Sequence, residues 1–159
     1  MIRIMKGVMH ILIILGALVI LVLFIQLFIG IRPYVVLSGS MEPGISTGSV
    51  CFVNTRSAYK DIKKRDVIAY EKGGMLVIHR SVRVTKSGIE TKGDANRISD
   101  GITTTAANYK GKMIYSIPFL GYVLHFFLSL VGKSIAVMCI SLYLLYQILF
   151  EKKGDKVKV

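Results

Sequence analysis

Two long apolar stretches bracket a middle region in which apolar residues come in short runs. From Val8 to Ile31 the chain is almost entirely Leu, Ile, Val, Phe, Gly and Ala, and Gln26 is the one strongly polar side chain after His10. A helix of that length crosses a hydrocarbon core of about 30 Å. A cleaved signal peptide would have an apolar stretch of only about 7 to 15 residues, ending at a small-x-small site. Here the run is longer and Arg32-Pro33-Tyr34 follows it, so a retained transmembrane anchor is expected. The second apolar region, Ile117 to Phe150, is broken once, at Lys133. Ser134 to Phe150 predicts a slightly short spanning helix, or a full-length one if part of residues 119–132 joins it. The alternative for residues 119–132 is an interfacial segment, where Tyr122, His125 and the phenylalanines suit the headgroup level. The start of the second helix stays open.

From Ser49 onward the short apolar runs and the turn signals between them favour strands over helices. SVCFVN (49–54), DVIAYE (66–71) and MLVIHRSVRV (75–84) are three such runs, and Lys72-Gly73-Gly74 between the last two reads as a hairpin turn. Lys86-Ser87-Gly88 marks another turn before a short IETK strand, and GKMIYSI (111–117) reads as a strand leading back to the membrane. Gly93 to Asn108, rich in Thr, Ala, Asn and Asp, reads as an irregular loop. On the third strand, alternation puts Leu76, Ile78 and Val82 on one face and Val77, His79 and Ser81 on the other.

Composition and charge agree with this layout. The 159 residues are 53% hydrophobic, too apolar for an ordinary soluble domain and enough for one compact domain plus membrane segments. Arg3 and Lys6 precede the first apolar run, and Lys152, Lys153, Lys156 and Lys158 follow the second, so both ends read as cytoplasmic. Between Arg32 and Lys112, fourteen Lys/Arg stand against seven Asp/Glu. That local excess does not oppose the orientation, because long domains cross the membrane regardless of charge. A basic outer domain is drawn to anionic lipid headgroups. Nucleic-acid binding fits poorly, since the basic residues are scattered without a stacking pattern or a recognition helix. Cys51 in the outer domain and Cys139 in the second apolar helix make neither a disulfide framework nor a metal site.

Three polar segments carry candidate chemistry. The first is Ser38-Gly39-Ser40-Met41-Glu42-Pro43, just outside the first apolar run. A catalytic serine needs a base, oxyanion donors and a locally fixed backbone. Gly39 removes bulk beside Ser40, and Pro43 pushes Glu42 toward an extended conformation. On composition alone, this is an ordinary Ser/Gly/Pro loop. The second is Ile78-His79-Arg80-Ser81-Val82, whose histidine, taken alone on a strand, is more often a surface or hydrogen-bonded structural residue than a base. The third is Lys92-Gly93-Asp94-Ala95-Asn96 followed by Asp100-Gly101, with two aspartates that could orient a histidine, or serve only as turn residues.

Together, SGSMEP after an N-terminal apolar helix, I-H-R on a strand and K-G-D-x-N resemble the boxes of type I signal peptidases. Histidine rather than lysine in the second box is similar to the endoplasmic-reticulum-type branch, found in eukaryotes, archaea and spore-forming Gram-positive bacteria. The likeness covers roughly residues 1 to 122, including Ile117-Pro118-Phe119-Leu120-Gly121-Tyr122. It implies Ser40 as nucleophile, Ser38 and the Ser40 N–H as oxyanion donors, Met41 facing substrate or lipid, and His79 as general base. It also implies Asp100 as orienting acid, with Asp94 supporting the loop and a close second for that role.

The expected fold is a mainly β catalytic domain of signal-peptidase-like type flanked by N- and C-terminal transmembrane helices. Residues 1–31 form the cytoplasmic tip and anchor, 32–118 the extracytoplasmic β domain, and 119–159 the interfacial segment, second helix and basic tail. The expected activity is removal of signal peptides from secreted preproteins by a multi-pass cell-membrane protein, without cofactor or metal. Preprotein signal peptides and membrane lipid are the expected partners, with the secretion translocon or accessory subunits as further candidates and no nucleic acid. Two rivals stand beside this: a non-catalytic membrane-anchored β domain that binds lipid or a partner protein, and a self-cleaving Ser-Lys peptidase of the repressor type using Lys92.

Overall fold

The computed structural model describes residues 2–154. A long helix, α1 (Ile2–Phe28), leads into strands β1 (Ile31–Val35), β2 (Val50–Asn54), β3 (Val67–Lys72), β4 (Met75–Thr85), β5 (Gly88–Lys92), β6 (Ile102–Thr104) and β7 (Tyr109–Ile117). Helices α2 (Leu120–Leu128) and α3 (Leu130–Gly154) follow. The seven strands form one antiparallel sheet in the order β1-β2-β7-β3-β4-β5-β6.

The apolar run expected as a helix to Ile31 outruns the helix by three residues. Gly30 takes φ +89, a left-handed turn that ends α1 and starts β1. The freed carbonyls are satisfied: Arg56 Nη2 donates to Phe28 C=O at 2.8 Å, while the Thr55 N–H and hydroxyl donate to Gly30 C=O at 2.9 and 2.8 Å. β1 is a strand that the pattern of apolar runs does not reveal, and it contains Pro33. As an edge strand paired only with β2, it has no second neighbour for which a proline N–H is needed.

The β3–β4 hairpin turns at Gly73 and Gly74, both at positive φ (59° and 78°), as a two-residue turn of the twisted ribbon requires. Alternation along these strands buries both faces of the sheet. Ile78 packs against Met41, Ile45, Cys51 and Val67, whereas Val77 packs against Ile62, Ile68, Tyr70 and Ile89. Past Ser81 the register shifts before Arg83, so the simple period of two does not carry through to Val82.

Two expectations change here. The segment 93–108 is not wholly irregular: Ile102–Thr104 forms β6, an edge strand too short and Thr-rich to show a pattern. The break in the C-terminal apolar region falls at Ser129, not Lys133. The Ser129 hydroxyl donates to Phe126 C=O at 2.6 Å and accepts from Gly132 N–H at 3.1 Å, closing α2 and capping α3. Gly132 lies so close to the Phe126 carbonyl that any Cβ there would collide with it. Two helical windows, His10–Phe28 and Leu130–Gln147, are long and apolar enough to cross a membrane, with mean hydropathies of 3.2 and 1.5. The expected basic tail past Gly154 lies outside the described residues.

Candidate active site

Ser40 sits in a single 3-10 turn, Gly39–Met41. Ser38 before it and Glu42 after it are both extended, with ψ 158 and 147, the latter as a residue preceding proline prefers. The turn is fixed from two sides. Glu42 N–H donates to Gly39 C=O at 3.0 Å, and Ala95 N–H donates to Ser40 C=O at 2.9 Å. Gly93 makes that second approach feasible, since a Cβ there would lie 2.5 Å from the Ser40 carbonyl oxygen. Met41, expected to face substrate or lipid, is 1% exposed and packs with Ile45, Cys51 and Val67. The turn points it into the core, where its side chain anchors Ser40.

β4 brings His79 to this turn. Its ring is nearly buried, with Nε2 3.1 Å from Ser40 Oγ and Nδ1 2.6 Å from Asp100 Oδ2. Ser38 Oγ is 3.4 Å from Ser40 Oγ. Among the described residues, His79 and Ser38 are the side chains hydrogen-bonded to the Ser40 hydroxyl, and Lys92 makes no such bond. A backbone bond from Asp100 N–H to Thr91 C=O, 2.8 Å, ties the end of the 93–100 loop to β5 and sets Asp100 beside the ring.

The two candidate aspartates thus part company. Asp94, six residues earlier, receives two bonds from Arg80, Nε to Oδ1 at 2.8 Å and Nη2 to Oδ2 at 2.6 Å. As an alternative partner for His79 it is displaced by this pairing, because a carboxylate gripped by a guanidinium fork is already satisfied. Asp94 in turn holds Arg80 more firmly protonated than a free arginine, chiefly through those hydrogen bonds. Arg80 also donates to Arg65 C=O at 3.0 Å, so the pair links β4, the 93–96 loop and the turn before β3.

Residues that the sequence did not single out complete the site. Tyr70 donates to Asp100 Oδ2 at 3.3 Å and the Thr91 hydroxyl donates to it at 2.9 Å. Both are alternating strand residues, and nothing in the sequence distinguishes them from core positions. Beside Ser40 and His79 lies a mainly apolar groove of about 620 Å³, walled by Tyr34, Val35, Val36 and Leu37 on one side and Met75, Leu76, Val77 and Ile78 on the other. Among the described residues no group of three or more His, Cys, Asp or Glu could hold a metal ion. Cys51 is buried, and burial raises its thiol pKa to about 11, so it is no rival nucleophile.

A hydroxyl, an imidazole and a carboxylate thus stand in hydrogen-bonding sequence on an antiparallel sheet. Residues 7–103 match the family described as signal peptidase, peptidase S26, and the chain belongs to that family. It is similar to signal peptidase I W of Bacillus subtilis (strain 168), 38% identical over 82 residues that make up 48% of this chain and 43% of the relative. It is also similar to the signal peptidase complex catalytic subunits SEC11 of Colletotrichum graminicola, 34% identical over 102 residues, and sec11 of Neurospora crassa, 34% over 103. Each of those two alignments covers 56% of this chain and 59% of the relative. The chain therefore spans about half the length of the curated relatives it matches.

Proposed function

We propose that this protein is a membrane-anchored serine endopeptidase that removes signal peptides from secreted preproteins, with Ser40 as nucleophile, His79 as general base and Asp100 as orienting acid. The observation that carries the reading is the relay from Ser40 Oγ to His79 Nε2 at 3.1 Å and from His79 Nδ1 to Asp100 Oδ2 at 2.6 Å. Because the carboxylate accepts the Nδ1 proton, neutral His79 leaves Nε2 bare toward the serine. That is the tautomer a base requires.

Ser40 Oγ attacks the scissile carbonyl as its proton passes to His79 Nε2. The tetrahedral oxyanion is met by the Ser40 N–H and the Ser38 hydroxyl. His79 then gives the proton to the departing amine, leaving an acyl group on Ser40, and water repeats the sequence in reverse roles. The apolar groove beside Ser40 suits an extended segment with small residues at the cut, in keeping with a small-x-small site.

Helices α1 and α3 supply two membrane crossings in this reading, with both chain ends cytoplasmic and the sheet on the outer face. Tethering enzyme and substrate to one surface raises their effective concentration. Preproteins emerging from the translocon are the substrates, lipid headgroups lie beside the basic outer domain, and accessory subunits are candidate partners by analogy with the signal peptidase complexes whose catalytic subunits it resembles.

The test is incubation of the detergent-solubilised protein and its Ser40→Ala and His79→Ala variants with a preprotein, the cut mapped by mass spectrometry. Cleavage after a small residue, absent from both variants while their melting temperatures hold, is the expected result. Cleavage that survives Ser40→Ala sinks the assignment of the nucleophile, and absence of cleavage by the folded parent favours a non-catalytic role for the domain. Loss with Lys92→Ala but not His79→Ala would instead point to a Ser-Lys peptidase.

A further inference from the structure

Asp100 Oδ2 is where three donors meet: His79 Nδ1 at 2.6 Å, the Thr91 hydroxyl at 2.9 Å and the Tyr70 hydroxyl at 3.3 Å. The two hydroxyls also lie 3.0 Å from each other, and Thr91 Oγ1 is 3.1 Å from Thr103 Oγ1, so the carboxylate ends a short chain of hydroxyls running back into the sheet. Tyr70 and Thr91 are both 0% exposed. Packing of Tyr70 against Ile62, Ile68 and Ile89 would be served as well by phenylalanine. Burying the hydroxyls is costly unless they are bonded, and their bonds converge on one oxygen.

We propose that Tyr70 and Thr91 are positioning residues that set the proton affinity of the base. Their hydroxyls hold the Asp100 carboxylate at His79 Nδ1 and draw off part of its charge. The inference rests on the peptidase reading above. Donors to an ionised carboxylate stabilise its charged form. They also weaken its pull on the imidazolium, since charge shared with two hydroxyls is not wholly available to Nδ1. Tyr70 is suited to this task because burial, with a further contribution from the Asp100 charge, raises its phenol above the ordinary tyrosine value against the opposing bonds from Thr91 and Thr103. It therefore remains a donor throughout the working range.

The other ionisable groups around the pair, Lys92 apart, are bonded to different partners. From β4, Arg80 is held by Asp94, and Lys92 on β5 stands opposite Arg80 in register. Glu90 on β5 is bound to Arg83 and Ser99, and Glu42 beside the serine turn accepts from Thr47. Substituting the two hydroxyl residues leaves all of these in place.

The experiment compares Tyr70→Phe and Thr91→Val with the parent, full chain in detergent, by kcat and KM for a preprotein across about pH 5 to 9. With a donor gone, more charge remains at Oδ2, the imidazolium is better stabilised and protonation persists to higher pH. The acid limb should therefore move up in pH. On the acid side of that limb kcat should fall about three- to tenfold at unchanged KM, while the plateau above it holds or rises, because a better stabilised imidazolium also favours the transition state. A lowered melting temperature with an unmoved acid limb would make both residues merely structural and overturn the proposal. A second arm needs no activity: NMR titration of the His79 ring, assigned by loss of its signal in His79→Gln, in a Ser40→Ala background with and without Tyr70→Phe. An upward displacement supports the positioning role even where cleavage fails, and coincident titration curves refute it.

Discussion

Replacing Asp100 by asparagine keeps the shape of the side chain and removes its charge, which isolates what the carboxylate does for His79. At a separation of 2.6 Å from Nδ1, and with an effective dielectric of about 20, an imidazolium and a carboxylate attract by about 6 kcal/mol. A neutral amide oxygen at the same place keeps about a third to a half of that through its hydrogen bond. The net loss of transition-state stabilisation is roughly 3 to 4 kcal/mol, or about 10² to 10³ in kcat. The same exchange at Asp94 acts elsewhere. It breaks the fork with Arg80, a pair whose side chains are 33% and 19% exposed, so solvent screening holds the cost to about 1 to 2 kcal/mol of stability. The Ala95 N–H that clamps Ser40 is untouched, and kcat should stay within about tenfold. Preprotein cleavage rates and melting temperatures of the two variants, measured side by side, make the assay. A variant Asp100→Asn within tenfold of the parent, or Asp94→Asn the more damaging to kcat, would refute the division of labour argued here.

Other substitutions probe separate parts. Ser38→Ala should lower kcat about 10²- to 10³-fold with little change in KM, as for loss of one oxyanion donor, and stopped assays with a single preprotein suffice to read it. Gly93→Ala would drive a Cβ to 2.5 Å from the Ser40 carbonyl, so a loss of about 1 to 3 kcal/mol in denaturant unfolding together with reduced cleavage is expected. In a Cys139→Ala background, Cys51 should resist a thiol reagent near pH 8 until the protein unfolds, because burial raises its pKa to about 11. Asp66 is raised by burial but lowered further by Lys112 and the Lys63 N–H, so its folded value is depressed. Its stabilisation is therefore present above the unfolded carboxylate value and lost as pH falls through the folded one. Asp66→Asn should lower the melting temperature at neutral pH and flatten its decline in acid.

Much of the fold could be read from the chain because alternation and turn chemistry act locally. DVIAYE, the two glycines and MLVIHRSVRV make a hairpin by themselves, and His79 follows Val77 on its face by the period of two. The elements that escaped are those fixed by distant partners. β1 contains a proline and exists because β2 offers it an edge, and β6 is three residues that pair with β5. The break at Ser129 depends on a hydroxyl shared between two helix ends, whereas Lys133 offered only a charge. The same divide runs through the site. Spacing could nominate two aspartates but could not choose between them. What sets Asp100 beside His79 is a backbone bond to Thr91 and two hydroxyls from other strands, and what occupies Asp94 is an arginine one residue past the histidine. Met41 is the converse case: the resemblance implies that it faces substrate or lipid, while the 3-10 turn rotates it into the core.

The most direct measurement is capture of the acyl intermediate. An electrophilic acylating probe built on a small-x-small peptide would be reacted with the solubilised protein and the adduct located by peptide mass spectrometry. One adduct on Ser40, formed rapidly by the parent and lost in His79→Ala, is the predicted result. Labelling that falls elsewhere, or that reaches Ser40 as quickly without the imidazole, would contradict the assignment of Ser40 and His79 as nucleophile and base.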